Sequence, residues 1–250
     1  MISKIGQTAL TGMSEAVRRL EVTSHNVANA LTPGFKAGEV RSADVVASPA
    51  GDGVKTLAVT KDLSSGPLIM TGMNSDLAIV GSGYFAVESS EGERYLTRNG
   101  TFRLDEDRQL VTPEGHRLLN AQGNPIPALP EAQNWKVTEN GEIYLQDSSG
   151  NWAPAGDEYR IGVASVPSEE GLISAGGTLY RAGAESGVPQ IGYPGENGRG
   201  TLLQGFIEGS NVALEREMVN SVMARQLYEA NLRVAQTGNE MTEELVDRII

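Results

Sequence analysis

Proline divides this chain into three parts. All 11 prolines lie between Pro33 and Pro194, so the first 32 and the last 56 residues contain none. Proline breaks a helix more strongly than any other residue, so only the proline-free ends are open to long helices. The sequence therefore predicts two terminal helices around a middle part of another kind.

The N-terminal part has the spacing of an amphipathic helix. Its apolar and small residues recur three or four positions apart, with Ser24 filling one gap, and form one narrow stripe: Ile2, Ile5, Ala9, Met13, Ala16, Leu20, Val27 and Leu31. The helix is expected to end at Thr32-Pro33-Gly34, because the residue before a proline is pushed out of the helical region.

The C-terminal part repeats this pattern from Asn211 onward, with an interruption expected at Gly238 and an N-cap at Ser210 or Asn211. Its stripe contains Val219, Met223, Leu227, Ala230, Val234, Met241, Leu245 and Ile249. Small residues are frequent in both helices, so one helix pair buries little apolar area per turn. We therefore expect several helical neighbours, while an antiparallel hairpin within one monomer stays open as the simpler alternative.

The middle part alternates with a period of two. Short strand-like runs at 76–80, 84–87 and 95–98 are separated by glycine turns, and Asn99-Gly100 is typical of a tight hairpin turn. The predicted class is α+β, with long coiled-coil-like terminal helices and a mainly antiparallel β middle. The expected divisions are an N-terminal helix over 1–34, an extended linker over 35–75, a β-rich outer domain over 76–204 and a C-terminal helix over 205–250.

Composition and motifs argue against several functions. A net charge of -12 disfavours nucleic acid as a partner, and the absence of cysteine excludes thiol chemistry and disulfides. The two histidines, His25 and His116, are isolated, and the glycines at 81–83 precede an alternating run rather than the helix that a dinucleotide fingerprint needs. We expect no enzyme activity and no catalytic, cofactor-binding or metal-binding residue. No apolar run is long enough to span a bilayer, and no cleavable signal is visible at the N-terminus.

Residues 26–36, with the sequence NVANALTPGFK, resemble the N-x-A-N-x-x-T-x-G-F signature of flagellar rod and hook proteins. Similar blocks follow in the order of that family: 66–72, 76–85, 97–102 and 204–212. The resemblance implies a structural subunit of the flagellar basal-body rod, polymerising through its terminal helices and exported by the type III apparatus without a cleaved signal. It implies self and other rod subunits as partners, the periplasm-spanning rod as location, and no membrane insertion.

Among the relatives, the short segment between Phe35 and Asp76 favours the larger proximal rod subunit, and a distal rod or hook-type subunit is the alternative. A secreted β-rich binding module is a further alternative. The signature and the stripes together predict the assembly residues: Asn26, Asn29, Thr32, Gly34, Phe35, Gln204, Gly205, Glu208, Ser210, Asn211, Val219, Met223, Leu227, Val234 and Leu245. Of these, the three asparagines are expected to cap or bridge neighbouring helices, and the segment from Val219 onward is expected to pack into the wall of the rod lumen.

Overall fold

A computed structural model describes residues 4–45, 53–132 and 134–247, with side chains up to residue 244. The chain forms two compact units. The helical unit is drawn from Met1–Ala30, Ala37–Asp62 and Val212–Ile250, and the β unit from Leu31–Lys36 and Leu63–Asn211. The backbone therefore passes from one unit to the other four times.

The helical unit contains α1 (Lys4–Ala28) and α2 (Leu214–Asp247). The helices are antiparallel, since Gly12 of α1 lies against Asn231 and Asn26, near the end of α1, contacts Glu217 in the first turns of α2. Small residues make this close contact possible: a Cβ at Gly12 would lie 2.5 Å from the Asn231 side chain. Among the described residues, the buried hydrophobic side chains of this unit are all alanine: Ala9, Ala16, Ala37 and Ala224.

A β-hairpin packs on α1 in the same unit. Its strands β1 (Gly38–Asp44) and β2 (Val54–Lys61) pair antiparallel, with an irregularity between Arg41 and Ser42. Polar contacts along α1 join it to the helix. Thr11 Oγ1 accepts a hydrogen bond from Val54 N at 3.2 Å, and Glu15 binds hydroxyl groups of both strands.

The β unit is built from sixteen short strands among the described residues. They are β3 (Leu68–Met70), β4 (Leu77–Val80), β5 (Tyr84–Glu88), β6 (Arg94–Thr97), β7 (Arg103–Leu104), β8 (Leu110–Val111), β9 (Arg117–Leu118), β10 (Asn134–Val137), β11 (Ile143–Gln146), β12 (Trp152–Pro154), β13 (Val163–Ser165), β14 (Leu172–Gly176), β15 (Leu179–Ala182), β16 (Gln190–Gly192), β17 (Thr201–Gln204) and β18 (Phe206–Glu208). Single 3-10 turns lie at Asp157–Tyr159 and Glu169–Gly171.

All pairings between these strands are antiparallel. A nine-stranded sheet runs β14-β15-β6-β5-β9-β8-β7, with β13 joining β5 to β16; β10-β11-β12, β17-β4 and β18-β3 form smaller sheets. Large side chains fill the core between them, among them Phe85 and Phe102, whose rings pack edge to face at 5.1 Å. The α+β class, with helical ends and a mainly antiparallel middle, is thus confirmed.

The helix ends differ from the sequence prediction. α1 ends at Ala28 rather than at Gly34, because its last turn tightens to bonds three residues apart. Asn29 N and Ala30 N donate to the carbonyl oxygens of Asn26 and Val27, at 3.1 and 3.2 Å, and Asn29 Nδ2 donates to the His25 carbonyl oxygen at 2.9 Å. Leu31, expected in the apolar stripe, lies beyond the helix and is 94% exposed. At the other end, α2 begins at Leu214 and continues through Gly238, which is buried.

The segment expected to be an extended linker, 35–75, contains the hairpin and β3, and the span expected to be the C-terminal helix begins with β18. Asn99-Gly100 is not a hairpin turn, since β6 pairs with β5 and β15 and not with β7. Gly100 is required for another reason: a Cβ there would lie 1.6 Å from the Leu77 carbonyl oxygen. The glycines at 81–83 join β4 to β5, so a strand follows them.

Candidate assembly interface

The two long helices expose a large set of apolar side chains. Each of the following is more than a third exposed: Ile5, Leu10, Val17, Leu20 and Val27 on α1, and Leu214, Met218, Val219, Val222, Met223, Leu227, Tyr228, Leu232, Val234 and Met241 on α2. Met218 is 67% exposed and Met223 56%. An apolar surface of this extent is typical of a protein-protein interface.

Open grooves run between the helices on this surface. One, of about 490 Å³, is lined by Ala16, Val17, Leu20, Ser221, Val222, Ala224, Arg225 and Tyr228. A second, of about 270 Å³, is lined by Ile5, Arg233, Val234, Thr237, Gly238 and Met241. Small residues form the floor and larger ones the walls, so each groove has the shape that receives side chains of another helix.

Four of the predicted stripe residues of α2 are exposed: Val219, Met223, Leu227 and Val234 are between 47% and 56% exposed. Of these, Val234 lines the second groove. The side chain of Leu245 lies outside the described residues.

Asn26 joins three elements of the helical unit. It is 1% exposed, donates Nδ2 to the Gly38 carbonyl at 2.9 Å and to Glu217 Oε1 at 3.1 Å, and accepts from Gly38 N at 2.8 Å. The amide thereby links α1, the start of β1 and the first turns of α2. The other carboxylate oxygen of Glu217 is buried and has no hydrogen-bond partner among the described residues.

Glu208 is the centre of a buried ionic cluster in the β unit. Its Oε1 accepts from Lys36 Nζ at 2.5 Å and from Gly66 N at 2.9 Å, and its Oε2 accepts from Arg98 Nη1 at 3.2 Å. The three charged side chains are at most 4% exposed. Two cations around one carboxylate make a strong attraction at low solvent exposure, and breaking such a cluster leaves a buried charge without its partner.

The signature residues Gly34 and Phe35 lie beside this cluster. Gly34 N donates to the Glu208 carbonyl at 2.8 Å, and Phe35 is 3% exposed. Gly34 has φ +68, and a Cβ at this position would lie 2.4 Å from Asn99 N. Only glycine satisfies both the left-handed backbone and the close approach. Thr32 lies in the same turn, where its carbonyl accepts from Phe35 N at 3.2 Å.

The remaining predicted residues lie along the last strands of the β unit. Gln204 accepts from Val137 N at 2.9 Å and donates to the Asn74 carbonyl at 2.7 Å. Gly205 has φ +78 at the step from β17 to β18, and Ser210 is 8% exposed.

Asn211 is not the helix N-cap that the sequence predicts. Its Nδ2 donates to the carbonyl and hydroxyl oxygens of Ser64, at 3.1 and 3.2 Å, and α2 begins three residues later. Its backbone N–H lies 3.4 Å from the Phe35 carbonyl oxygen. The side chain therefore connects the end of the second segment of the β unit, 63–211, to its beginning.

Glu15 is a buried carboxylate that the sequence reasoning missed. It accepts from Arg19 Nε at 3.0 Å and from the hydroxyls of Ser42 and Thr56, which face each other across β1 and β2. Burial alone would raise the pKa of the Glu15 carboxyl, but these hydrogen bonds and the Arg19 charge hold that pKa below its ordinary value. The carboxylate thus fastens the hairpin to α1.

The sequence also does not predict Lys36, Arg98 and Glu217 as functional residues. Lys36 and Arg98 lie inside the sequence blocks that carry the family resemblance, and this position in the blocks could have indicated them. Their pairing had no local signal, because Lys36 and Glu208 are 172 residues apart in the chain.

Within the described ranges, no cluster of histidine, cysteine or carboxylate side chains is arranged to hold a metal ion. The described helices include none that is long and apolar enough to cross a membrane.

The fold and the interface define a class of protein: a polymer-forming subunit with an exposed helical face and a separately packed β unit. Three family models match the chain. They are described as Flagella basal body rod protein (residues 7–36), Flagellar hook protein FlgE/F/G D1 domain (78–145) and Flagellar basal body rod FlgEFG protein C-terminal (203–248).

Full-length relatives agree with these matches. The chain is 32% identical over 259 residues to the flagellar basal-body rod protein FlgG of Bacillus subtilis (strain 168), covering 96% of this chain and 97% of that protein. It is 30% identical over 253 residues to FlgG of Agrobacterium fabrum, covering 93% and 94%. The chain therefore belongs to the flagellar basal-body rod and hook family, a family of structural proteins, and its location is the rod of the basal body.

The chain is also similar to the flagellar hook protein FlgE of Escherichia coli (strain K12). That alignment is 39% identical over 395 residues and covers 96% of this chain and 98% of the hook protein. It is longer than the 250 residues of this chain, so the hook protein contains segments that this chain lacks.

Proposed function

We propose that this chain is a structural subunit of the flagellar rod that joins copies of itself and other rod subunits through the exposed face of α1 and α2. The observation that carries the proposal is the inverted burial of the helical unit. Alanines lie inside and the large apolar side chains lie outside, from Ile5 and Met241 at one end of the helix pair to Val27 and Leu214 at the other. A monomer leaves that area in water, whereas a polymer buries it.

The magnitude of the gain supports assembly. Burying apolar surface contributes about 25 cal/mol per Å², and one fully buried leucine, valine or methionine contributes roughly 1.5 to 3 kcal/mol. Packing against helices of several neighbours, in the coiled-coil-like manner expected from the sequence, covers the stripes on both helices. Contacts between different faces of successive copies do not close on themselves and generate a helical filament.

The signature asparagines and the ionic cluster have supporting roles in this proposal. Asn26 sets the register between α1 and α2, and the Asn29 side chain donates to the His25 carbonyl oxygen in the last turn of α1. Glu208 fixes the turn that contains Gly34 within the β unit. Together they define the shape that each copy presents to the next.

Family membership supports the finer parts of the proposal. The subunit has no catalytic role, reaches its site through the flagellar type III export apparatus, and occupies the proximal part of the rod, as the short segment between Phe35 and Asp76 suggests. Crosslinking of epitope-tagged copies within purified basal bodies, followed by identification of the neighbouring rod proteins, tests that position.

Charged substitutions on α2 test the assembly face. The double variant Val219→Asp and Met223→Asp places two charges on the exposed surface without touching the alanine contact between the helices. We expect normal far-UV circular dichroism and normal thermal unfolding of the purified protein, but loss of rods and of swimming in cells that carry the variant.

The matched control is Val188→Asp, which changes an 80% exposed side chain of the β unit. It should leave assembly intact. Normal rods that contain the Val219, Met223 variant would overturn assembly through this surface, whereas absence of even the unmodified protein from basal bodies would favour a free-standing secreted β-rich module.

A further inference from the structure

Three asparagine-glycine pairs occur in the β unit, at 99–100, 140–141 and 197–198. Such a pair is chemically labile, because the backbone nitrogen of the glycine can attack the side-chain amide carbon of the asparagine. Glycine favours this attack, since it has no Cβ to hinder the nitrogen or to restrict the backbone. The fold decides which pairs react, because the side-chain amide and the next backbone nitrogen must first move toward each other.

Folding restrains the first two pairs. Asn99 Oδ1 accepts hydrogen bonds from the backbone N–H and the hydroxyl of Thr101, at 3.0 and 2.8 Å, and the glycine that follows Asn99 is buried. In the second pair Gly141 is also buried, and its N–H donates to the Thr138 carbonyl oxygen at 2.9 Å. Attack at either pair therefore requires contacts inside the β unit to break.

The third pair lies in an exposed turn. Asn197 has φ +50 and Gly198 φ +77, and a backbone hydrogen bond from Arg199 N to the Glu196 carbonyl oxygen, at 3.0 Å, closes the turn. Both residues of the pair are exposed, and no atom lies within 4 Å of a Cβ built on Gly198. Within the described part of the chain, the Gly198 N–H has no hydrogen-bond acceptor. Such a turn opens at low cost, because few buried contacts are lost.

We propose that Asn197 is a site of spontaneous deamidation in the folded protein. The Gly198 nitrogen loses its proton to hydroxide and forms a bond to Cγ of Asn197, and the side-chain nitrogen leaves as ammonia. One water molecule then hydrolyses the cyclic imide by opening either of its two C–N bonds. One opening gives aspartate, and the other gives isoaspartate, in which the main chain passes through the former side chain. The sum is asparagine and water giving the acid and ammonia.

The chain that follows the turn is held in place. Arg199 is 8% exposed, and its Nε and Nη2 donate to the Gln190 carbonyl oxygen at 3.3 and 3.2 Å. The reaction therefore adds a negative charge at the surface of the β unit while the packing beside the turn is retained.

Peptide mapping by mass spectrometry tests the site, because trypsin places the three asparagines in separate peptides, 99–103, 137–160 and 182–199. The folded full-length protein is aged in mildly alkaline buffer and digested under slightly acidic conditions, which suppress further reaction. We expect conversion of amide to acid at Asn197, with isoaspartate among the products, at least about tenfold faster than at Asn99 or Asn140. Equal rates at the three sites, or an intact Asn197 after ageing, would overturn the proposal.

Two controls separate the chemistry from the fold. In guanidinium chloride the unfolded chain should convert at all three pairs, and persistence of Asn99 and Asn140 there would refute protection by folding. In the folded variant Gly198→Ala the added methyl group hinders the attacking nitrogen, so conversion at Asn197 should slow about tenfold while the other two sites are unchanged. An unchanged rate at Asn197 in this variant would refute attack by that nitrogen.

Discussion

The helical unit and the β unit differ in which apolar side chains they bury. In the β unit, large side chains such as Phe85, Leu118 and Ile161 are fully enclosed. In the helical unit, the enclosed hydrophobic residues are alanines, and the larger apolar side chains of α1 and α2 are exposed. The β unit is therefore stabilised by burial of apolar side chains within one chain, whereas in the helical unit most of the apolar area of the long helices is left exposed for contacts with other chains.

Unfolding of the two units can be measured separately, because Trp135 and Trp152 both lie in the β unit. Tryptophan fluorescence therefore reports the unfolding of the β unit. Far-UV circular dichroism at 222 nm is dominated by α1 and α2 and reports the helical unit.

The largest effect is expected in the ionic cluster of the β unit. Glu208→Ala leaves Lys36 and Arg98 buried without the carboxylate that both contact, and should destabilise this unit by about 3 to 5 kcal/mol. Urea unfolding followed by tryptophan fluorescence measures this loss. The control, Glu93→Ala, removes an exposed pair with Arg181 in the same unit and should change stability by less than about 1 kcal/mol.

A loss of less than about 1 kcal/mol in Glu208→Ala would contradict the central role of the cluster. In that case the β unit would resemble the helical unit in depending on partners for its stability.

Gly34→Ala should have the next largest effect. The new Cβ meets the Asn99 backbone, and φ +68 adds strain, so we expect a loss of about 2 to 4 kcal/mol in the same fluorescence experiment. Gly72→Ala is the matched control, since φ is +73 there and no atom lies within 4 Å of the added Cβ. It should cost only about 1 kcal/mol. Equal losses would show that the left-handed backbone, not the packing, requires glycine at position 34.

Ala224→Leu tests the alanine contact in the helical unit. Ala224 is 2% exposed, so three added carbon atoms must push α1 and α2 apart, at a cost of about 1 to 3 kcal/mol. Thermal unfolding followed at 222 nm measures the effect. Its neighbour Met223 is exposed, and Met223→Ala should change stability by less than about 0.5 kcal/mol. A larger loss from Met223→Ala than from Ala224→Leu would reverse the assignment of inner and outer faces.

The smallest effect is expected in the pH dependence of the stability of the helical unit, to which the Glu15 carboxyl contributes. Because its folded pKa is held below that of the unfolded chain, about 4.3, the stabilisation is complete above that pH and is lost as the pH falls through the lower folded value. Glu15→Gln should make thermal unfolding at 222 nm less sensitive to pH in this acidic window. Glu21→Gln, which removes a carboxylate paired with Arg18 on the exposed surface, should leave the sensitivity unchanged. An identical pH response in Glu15→Gln would show that other carboxylates control the acid transition.

The sequence predicts the parts of this fold that depend on local rules. Proline positions and a three-to-four spacing locate both helices, and alternation locates β4, β5 and β6. Spacing also predicts a stripe on α1, but it does not say which members of the stripe are buried. In the structure Ala9 and Ala16 are buried, while Ile5 and Leu20 of the same stripe are exposed.

The sequence does not predict contacts between segments that are distant in the chain. Asn99-Gly100 has the composition of a hairpin turn, yet Gly100 is needed because the Leu77 backbone approaches it. The contacts of Lys36 and Arg98 with Glu208 join segments that become neighbours only after the sheets have formed. The predicted roles of the signature residues in assembly stay predictions until variants are tested.

The four passages of the backbone between the two units have a mechanical consequence. A protein whose domains share one linker transmits any pull or twist through a single covalent strand. Here the load between units is divided over four peptide connections, at residues 30–31, 36–37, 62–63 and 211–212. A filament made of such subunits can carry torsional load without concentrating it in one flexible joint.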